Sequence, residues 1–301
     1  MPLEYVKLFN FRNFYKTETT FNKGLNVFFG RNGQGKTNLT EALLLVTRGK
    51  SFRKSKREEL IRYGEKEAII ETAIDKNRIK IHIDKHNKRT LLNNKLLYRK
   101  QQLINCYFIN SDLLFYFKNF SQFRIKLIDK LCYNVFGSEF LIYYKKYLKA
   151  AKNLRSETYN KIWLDLLKKY KNEVNCYRTE FFKKIKEEYN NVKETIELDD
   201  CIISFKGEEK RELNILRKDR KDLSLGELKS VLFSIIYSTI KIEEKGEKIL
   251  IFDDFNSEWD YNRQKRIKNL INDLKIQSFI MQTEQRDDSN FIIQKGEIQS
   301  I

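Results

Sequence analysis

One stretch limits the possible folds more than any other. Gly30-Arg31-Asn32-Gly33-Gln34-Gly35-Lys36-Thr37 matches GxxxxGK[ST], and it lies after the aromatic and β-branched run Leu25 to Phe29 and before the helix candidate Asn38 to Val46. Strand, loop and helix in that order are the context this pattern needs to cradle phosphates. The glycines let backbone N–H groups curl around an anion without Cβ clashes, and the helix N-terminus adds a partial positive charge. In such a loop Lys36 reaches the β and γ phosphates of ATP, and the Thr37 hydroxyl ligates Mg²⁺.

The surrounding sequence supports a mixed sheet rather than a bundle. Tyr5 to Phe9 and Leu25 to Phe29 are strand candidates, and Ala68 to Asp75 alternates with Arg78 to Asp84 around Lys76-Asn77 like a hairpin. From about Ser121 to Val192 the pattern changes: Trp163, Leu167, Tyr170, Val174, Tyr177 and Phe181 recur at helical spacing and predict one buried helix face. Ordinary helix packing accounts for that stripe, so it is assigned no ligand. After Asp199 the pattern returns to strand, helix and strand, with Ile249 to Phe252 and Ser278 to Met281 flanking a polar helix from about Asp260 to Leu274. The expected organisation is an N-terminal part over 1–120, a helical insertion over 121–198 and a C-terminal part over 199–301.

Composition narrows the partners. Of 301 residues, 59 are Lys or Arg against 41 Asp or Glu, a net charge of +18 that favours a polyanion such as nucleic acid or an anionic membrane surface. The excess is largely lysine beside abundant Ile, Asn, Tyr and Phe, a skew that an AT-rich genome also produces. The longest apolar runs fall far short of the ~20 residues of a bilayer span, which excludes a transmembrane protein. The first residues show no signal peptide, so the expected location is the cytoplasm. Cys106, Cys132, Cys176 and Cys201 are scattered without a CxxC, and His82 and His86 lie near none of them, which argues against zinc or a disulfide framework.

Two further motifs complete a set. Ile249-Leu250-Ile251-Phe252-Asp253-Asp254 is an apolar strand ending in two carboxylates, as expected of a Walker B strand emerging beside the phosphate loop. Asp253 is positioned to hold Mg²⁺ and Asp254 to orient the attacking water. Between the phosphate loop and this strand, Leu223-Ser224-Leu225-Gly226-Glu227-Leu228 resembles the signature motif of ABC-type ATPases. The resemblance implies that Ser224 and the N–H at Gly226 bind the γ-phosphate held by a second subunit. The same residues also form a helix N-cap with Glu227 at N3, a capping box. Ser257-Glu258-Trp259-Asp260 follows where such ATPases carry the D-loop, and Thr283 lies near the position of their switch residue.

The resemblance then narrows to the RecF family of recombination mediators. It is carried by Leu8 to Phe14, the loop Gly30 to Asn38, Gly49 to Arg53 and Glu59 to Gly64, and more weakly by Ser111 to Leu113, Tyr143 to Tyr159, Trp163, Asp253 to Glu258 and Gln277 to Thr283. It covers most of the chain. The family implies an α/β, P-loop ABC-type ATPase head with mixed sheet, flanking helices and an inserted helical lobe. It also implies ATP-dependent homodimerisation, binding to duplex and gapped DNA, slow ATP hydrolysis, and a RecR-type partner, with no membrane. Three departures stand out. The family's Gly-Pro-His-Arg-Asp-Asp segment before the signature is missing, since the single proline is Pro2 and no histidine follows His86. In addition, Leu225, Glu227 and Leu228 replace more polar signature residues, and Trp259 replaces a leucine. An ATP-binding head that serves only as a scaffold stays open as an alternative, as does, more remotely, a transporter nucleotide-binding subunit.

Overall fold

The computed structural model describes residues 3–97, 104–156, 161–198, 201–206, 212–217, 223–244 and 246–301. The end of the Tyr143 to Tyr159 stretch, Asp199 and about half of the shortened segment before Leu223 lie outside the described residues. By contacts the chain divides into two compact units, Met1–Ser111 with Gly246–Ile301, and Asp112–Lys245.

The first unit is built on two sheets. Strands β1 (Leu3–Phe11) and β2 (Phe14–Thr20) form a hairpin, followed by β3 (Leu25–Phe29), helix α1 (Lys36–Arg48), the short α2 (Arg57–Leu60), and β4 (Glu67–Ile74), β5 (Asn77–Asp84), β6 (Lys88–Leu92), β7 (Lys95–Leu96) and β8 (Asn105–Ile109). The antiparallel sheet runs β2-β1-β4-β5-β6-β7. The β4–β5 hairpin turns at Asp75-Lys76, one residue before the expected place, because Ile74 pairs with Asn77 and Asp75 takes φ 53°, a left-handed conformation that Asp tolerates.

The second unit holds α3 (Ser111–Asn119) past its first residue, α4 (Ser121–Phe136), α5 (Ser138–Ser156), α6 (Lys161–Thr195), the β9 (Cys201–Lys206) and β10 (Glu212–Arg217) hairpin, and α7 (Leu225–Ile242). It therefore extends on both sides of the 121–198 insertion read from sequence. The expected stripe on α6 is buried at Val174 and Phe181 and half-buried at Trp163, Leu167, Tyr170 and Tyr177. Within that face sits a charge that periodicity does not show: Arg178, 1% exposed, donates Nε to Asp129 Oδ1 at 2.7 Å and Nη2 to Asp129 Oδ2 at 2.9 Å. A bidentate pair of this kind satisfies both ions inside the helix seam. Helix α7 is buried almost all round, and Ser230, Ser234 and Ser238 each return their hydroxyl to the carbonyl four residues back, so the helix buries serines without orphaning them.

The chain returns to the first unit with β11 (Lys248–Phe252), α8 (Tyr261–Asp273), β12 (Gln277–Gln282), β13 (Phe291–Gln294) and β14 (Glu297–Ser300). The second sheet has the order β14-β13-β3-β12-β11-β8, parallel from β13 to β8 and antiparallel only at the β14 edge. Strands buried on both faces read as near-continuous apolar runs, and β11 does so, whereas β12 is buried throughout with polar Gln277, Ser278 and Gln282 around an apolar centre. Helix α1 contributes Leu39, Ala42, Leu43, Leu44 and Leu45 to one core shared with residues of both sheets, including Ile70, Ile81, Ile251 and Phe279. In the sheet β12 lies between β3 and the Walker B strand β11. All three are parallel, so the ends of β3, β12 and β11 open on the same edge, where ligands of such sheets bind. Among the described residues, no helix is long and apolar enough to cross a membrane.

Candidate functional site

The loop leaving β3 has the backbone that its glycines require. A Cβ on Gly30 would lie 2.4 Å from the Ile293 carbonyl oxygen, and Gly35, at φ 125°, caps the N-terminus of α1. Helix α1 has no side-chain cap and no acidic residue in its first turn, so its leading N–H groups are left for an anion. Arg31, Asn32 and Gly33 are exposed along the loop crest and Gln34 is half-buried. Lys36 is 6% exposed and folds back over the loop, donating Nζ to the Gly30 carbonyl at 2.5 Å and the Arg31 carbonyl at 3.0 Å. Burial lowers its pKa, while Asp253 and Asp254 pull the other way.

Asp253, at the end of β11, is 1% exposed. Burial, and then the neighbouring Asp254 charge, push its pKa up to about 7, against a smaller opposing effect from its hydrogen bond with the Thr37 side chain. Its Oδ1 has no hydrogen-bond partner. An orphaned, desolvated carboxylate oxygen beside a threonine hydroxyl fits a divalent cation. No cluster of three His, Cys, Asp or Glu side chains able to hold a metal occurs among the described residues. Mg²⁺ commonly needs one or two protein oxygens and completes its shell with phosphate and water, so Thr37 and Asp253 suffice. Asp254 is exposed, takes φ 55°, and accepts a 3.0 Å bond from Ser111 Oγ on Oδ2. The left-handed turn separates the two carboxylates, leaving one buried and the other facing solvent.

Several residues that hold this corner went unread in the sequence. The tip of the phosphate loop is clamped by two hairpin turns. Asn13, between β1 and β2, donates Nδ2 to the Gln34 carbonyl at 2.8 Å, and the Lys295 and Gly296 N–H groups, between β13 and β14, bond Gln34 Oε1 at 2.6 Å and its carbonyl at 3.1 Å. Gly296 is held to glycine because a Cβ there would meet the Asn13 carbonyl at 2.3 Å. Below the loop, Glu41 of α1 is fully buried and takes a bidentate bond from Arg12, Nε to Oε2 at 2.8 Å and Nη2 to Oε1 at 3.0 Å, with Ser51 and Ser55 also donating to it. The only local signal was the string Leu8 to Phe14, quoted above for family resemblance. Its pairing with Glu41 is invisible to periodicity.

That network continues into the basic segment 50–57. Arg53 donates to Asn38 Oδ1 at 2.9 Å, lies 3.8 Å from Glu41, and lowers the Asp253 pKa through its charge, while Arg57 bonds the His86 carbonyl. Arg53 therefore faces the phosphate loop, and Lys50, Lys54 and Lys56 remain exposed. After β11, Trp259 packs edge-on against Phe252 and Phe255 at 5.4 and 5.6 Å, which gives the bulky D-loop residue a structural place. Thr283 is exposed just beyond β12, whose last residue, Gln282, accepts a bond from the buried Lys268.

Ser224 and Gly226 belong to the other compact unit. Ser224 caps α7: its Oγ accepts from the Glu227 N–H at 3.2 Å, and its own N–H donates to Glu227 Oε2 at 2.8 Å. Gly226 is buried in the first turn.

The family description RecF/RecN/SMC N terminal domain matches residues 2–290. The chain is 28% identical to the DNA replication and repair protein RecF of Clostridium kluyveri over the full length of both. Its fold is similar to a solved RecF–ATP structure from the RecFOR pathway, with TM-score 0.74, 22% identity and 99% and 97% of the two chains covered. It is also similar to an Smc head domain of Pyrococcus furiosus, with TM-score 0.69 and 18% identity over 99% of this chain and 95% of that one.

Proposed function

The chain belongs to the RecF/RecN/SMC N-terminal domain family, and from that premise we propose that it is an ATP-dependent DNA-binding protein of replication and recombinational repair. It acts in the cytoplasm as an ATP-gated homodimer on duplex and gapped DNA and helps a RecR-type mediator load recombination machinery at single-strand gaps. The observation that carries the nucleotide half of this reading is the unpartnered Oδ1 of Asp253 beside Thr37, at the foot of a glycine loop whose helix N-terminus is uncapped.

In this reading, Gly30 to Gly35 present backbone N–H groups to the phosphates, and Lys36 exchanges its two loop carbonyls for β- and γ-phosphate oxygens. Thr37 and Asp253 hold Mg²⁺, which neutralises phosphate charge when bound. Asp254, on the solvent side of its turn, takes the proton of the attacking water. Ser224 and Gly226 serve the nucleotide of the second copy, so one chain does not complete its own site. The basic excess then meets the DNA backbone, and contacts to phosphate position the duplex without reading its sequence.

Gel filtration with and without ATP, repeated with gapped DNA, tests this reading. Wild type shifts to dimer on ATP, and Lys36→Ala, which removes the cation aimed at the phosphates, stays monomeric. ATP-induced dimers of Lys36→Ala at wild-type concentration sink the gating. One observation favours the scaffold alternative: Ser224 Oγ is already engaged in its own capping box. Turnover that is undetectable with and without DNA, in a chain that still binds ATP, selects that alternative.

A further inference from the structure

The α3–α4 corner of the helical unit carries aromatic rings where a water-facing surface does not need them. Phe115 is 57% exposed, Tyr116 43% and Phe120 48%, and they form one cluster with the half-buried Phe123. Ring centroids are 5.7 Å apart for Phe115–Tyr116, 5.8 Å for Tyr116–Phe120, 6.3 Å for Phe115–Phe120 and 5.4 Å for Tyr116–Phe123. The planes meet at 76°, 40°, 64° and 31°, so the rings prop one another edge-on and tilted rather than covering each other's faces.

A second observation is independent of exposure. Phe120 occupies the N-cap of α4 and supplies no cap bond. Ser, Thr, Asp or Asn at that position stabilises a helix by about 1 kcal/mol over an apolar residue. Ser121 stands one position too late to serve. A local rule broken without structural return marks a functional position. The corner is nonetheless firmly built: Arg124 Nη1 donates to the Phe117 carbonyl at 2.9 Å and the Lys118 carbonyl at 3.1 Å, closing the end of α3. The rings are thus presented on a fixed turn.

Charge identifies the occupant. Over 112–133 the exposed charged side chains are Lys118, Lys126 and Lys130 against Asp112, and Asp129 is committed to Arg178. The same face of a second copy would bring like charges together, because an isologous contact places each patch on itself. A polyanion with flat apolar faces fits both features. Unstacked nucleobases supply the faces and their backbone the charge, and base–aromatic stacking is indifferent to sequence.

We propose that Phe115, Tyr116 and Phe120 form a stacking platform for the unpaired bases of gapped DNA, with Lys118 and Lys126 beside it for the backbone. This rests on the DNA-binding reading above and deepens it, since it separates the single-stranded segment from the duplex.

The test measures binding of the full chain with ATP, by fluorescence anisotropy, to a single-stranded oligonucleotide, a gapped duplex and an intact duplex. Phe115→Ala/Phe120→Ala is expected to bind the single strand at least about tenfold more weakly and the intact duplex within about threefold of wild type. Phe115→Leu/Phe120→Leu, which keeps apolar bulk and loses the π faces, is expected to resemble the alanine variant, and Phe115→Tyr/Phe120→Tyr to resemble wild type. Circular dichroism and ATP binding confirm that each variant is folded. Single-strand binding equal to wild type in the alanine variant overturns the platform while leaving the duplex reading intact, as does leucine serving as well as phenylalanine. Equal losses on single strand and duplex overturn it too, and loss of ATP-dependent dimerisation with DNA binding retained assigns the face to a second copy. If wild type binds no DNA in any form, the platform falls with the reading beneath it.

Discussion

Two regions of the molecule bury an aspartate and treat it in opposite ways. In the helical unit, Asp129 gives each oxygen to Arg178. At the end of β11, Asp253 is more deeply buried, has an oxygen with no partner, and sits beside a second carboxylate. The first arrangement is what a fold does with a charge it keeps for itself. The second costs the free protein stability, which a bound cation returns. Glu41 shows that the distinction is not one of neighbourhood, since it lies in the helix that follows the phosphate loop and is matched by Arg12, Ser51 and Ser55.

The sharpest way to break the contrast is to unpair the paired carboxylate. Arg178→Leu leaves Asp129 buried without its cation and should cost about 3–5 kcal/mol in urea unfolding of the helical unit. Replacing both partners by apolar residues of similar volume should recover most of that. If the single variant is as stable as wild type, the pair is not what holds α4 to α6.

A smaller effect of opposite sign is expected at the other site. Asp253→Asn removes the desolvated charge and should stabilise the free protein by on the order of 2 kcal/mol at neutral pH, while weakening Mg²⁺-dependent ATP binding. The sign follows from the direction of the shift. The folded-state pKa of about 7 lies above the ordinary 3.8, so the folded protein holds this proton more tightly. The contribution is therefore fully present below pH 4 and lost as pH rises towards 7. Thermal melts across that range should show this slope in wild type and its absence in Asp253→Asn; parallel curves would remove the claim that Asp253 is held in reserve for a cation.

The smallest change in stability belongs to Asp254, which is exposed. Asp254→Asn should leave melting and Mg–ATP binding near wild type but slow hydrolysis and lengthen the lifetime of the complex on DNA after ATP is washed out. Equal lifetimes, with measurable wild-type turnover, would deny Asp254 its part in release.

How much of this the sequence disclosed depended on distance along the chain. The loop Gly30 to Thr37, the α7 cap at Ser224 and the buried strand before Asp253 are written in a few consecutive residues, and local backbone chemistry is enough to read them. The clamp on Gln34 joins residues 261 apart, and the Arg12–Glu41 pair joins two elements whose approach is set by packing, not by periodicity. Arg178 was hidden for a related reason: on a stripe of apolar residues, a lone arginine reads as a solvated interruption unless its partner on another helix is known. The order of strands was likewise closed to inspection, since nothing in Ile249 to Phe252 says that β12 will separate it from β3.

That strand order has a consequence for how the molecule comes into being. Both sheet neighbours of β3, β12 on one side and β13 on the other, are made by the ribosome only after most of the chain has emerged. Until then the strand that launches the phosphate loop has two bare edges and, Asn26 apart, an apolar sequence, an invitation to non-native pairing. Contacts so remote in sequence close slowly, because the intervening chain must be ordered before they form. Nucleotide capture is thus among the last properties such a nascent chain acquires, and a chain interrupted before Gln277 has the phosphate-binding sequence without the sheet that shapes it.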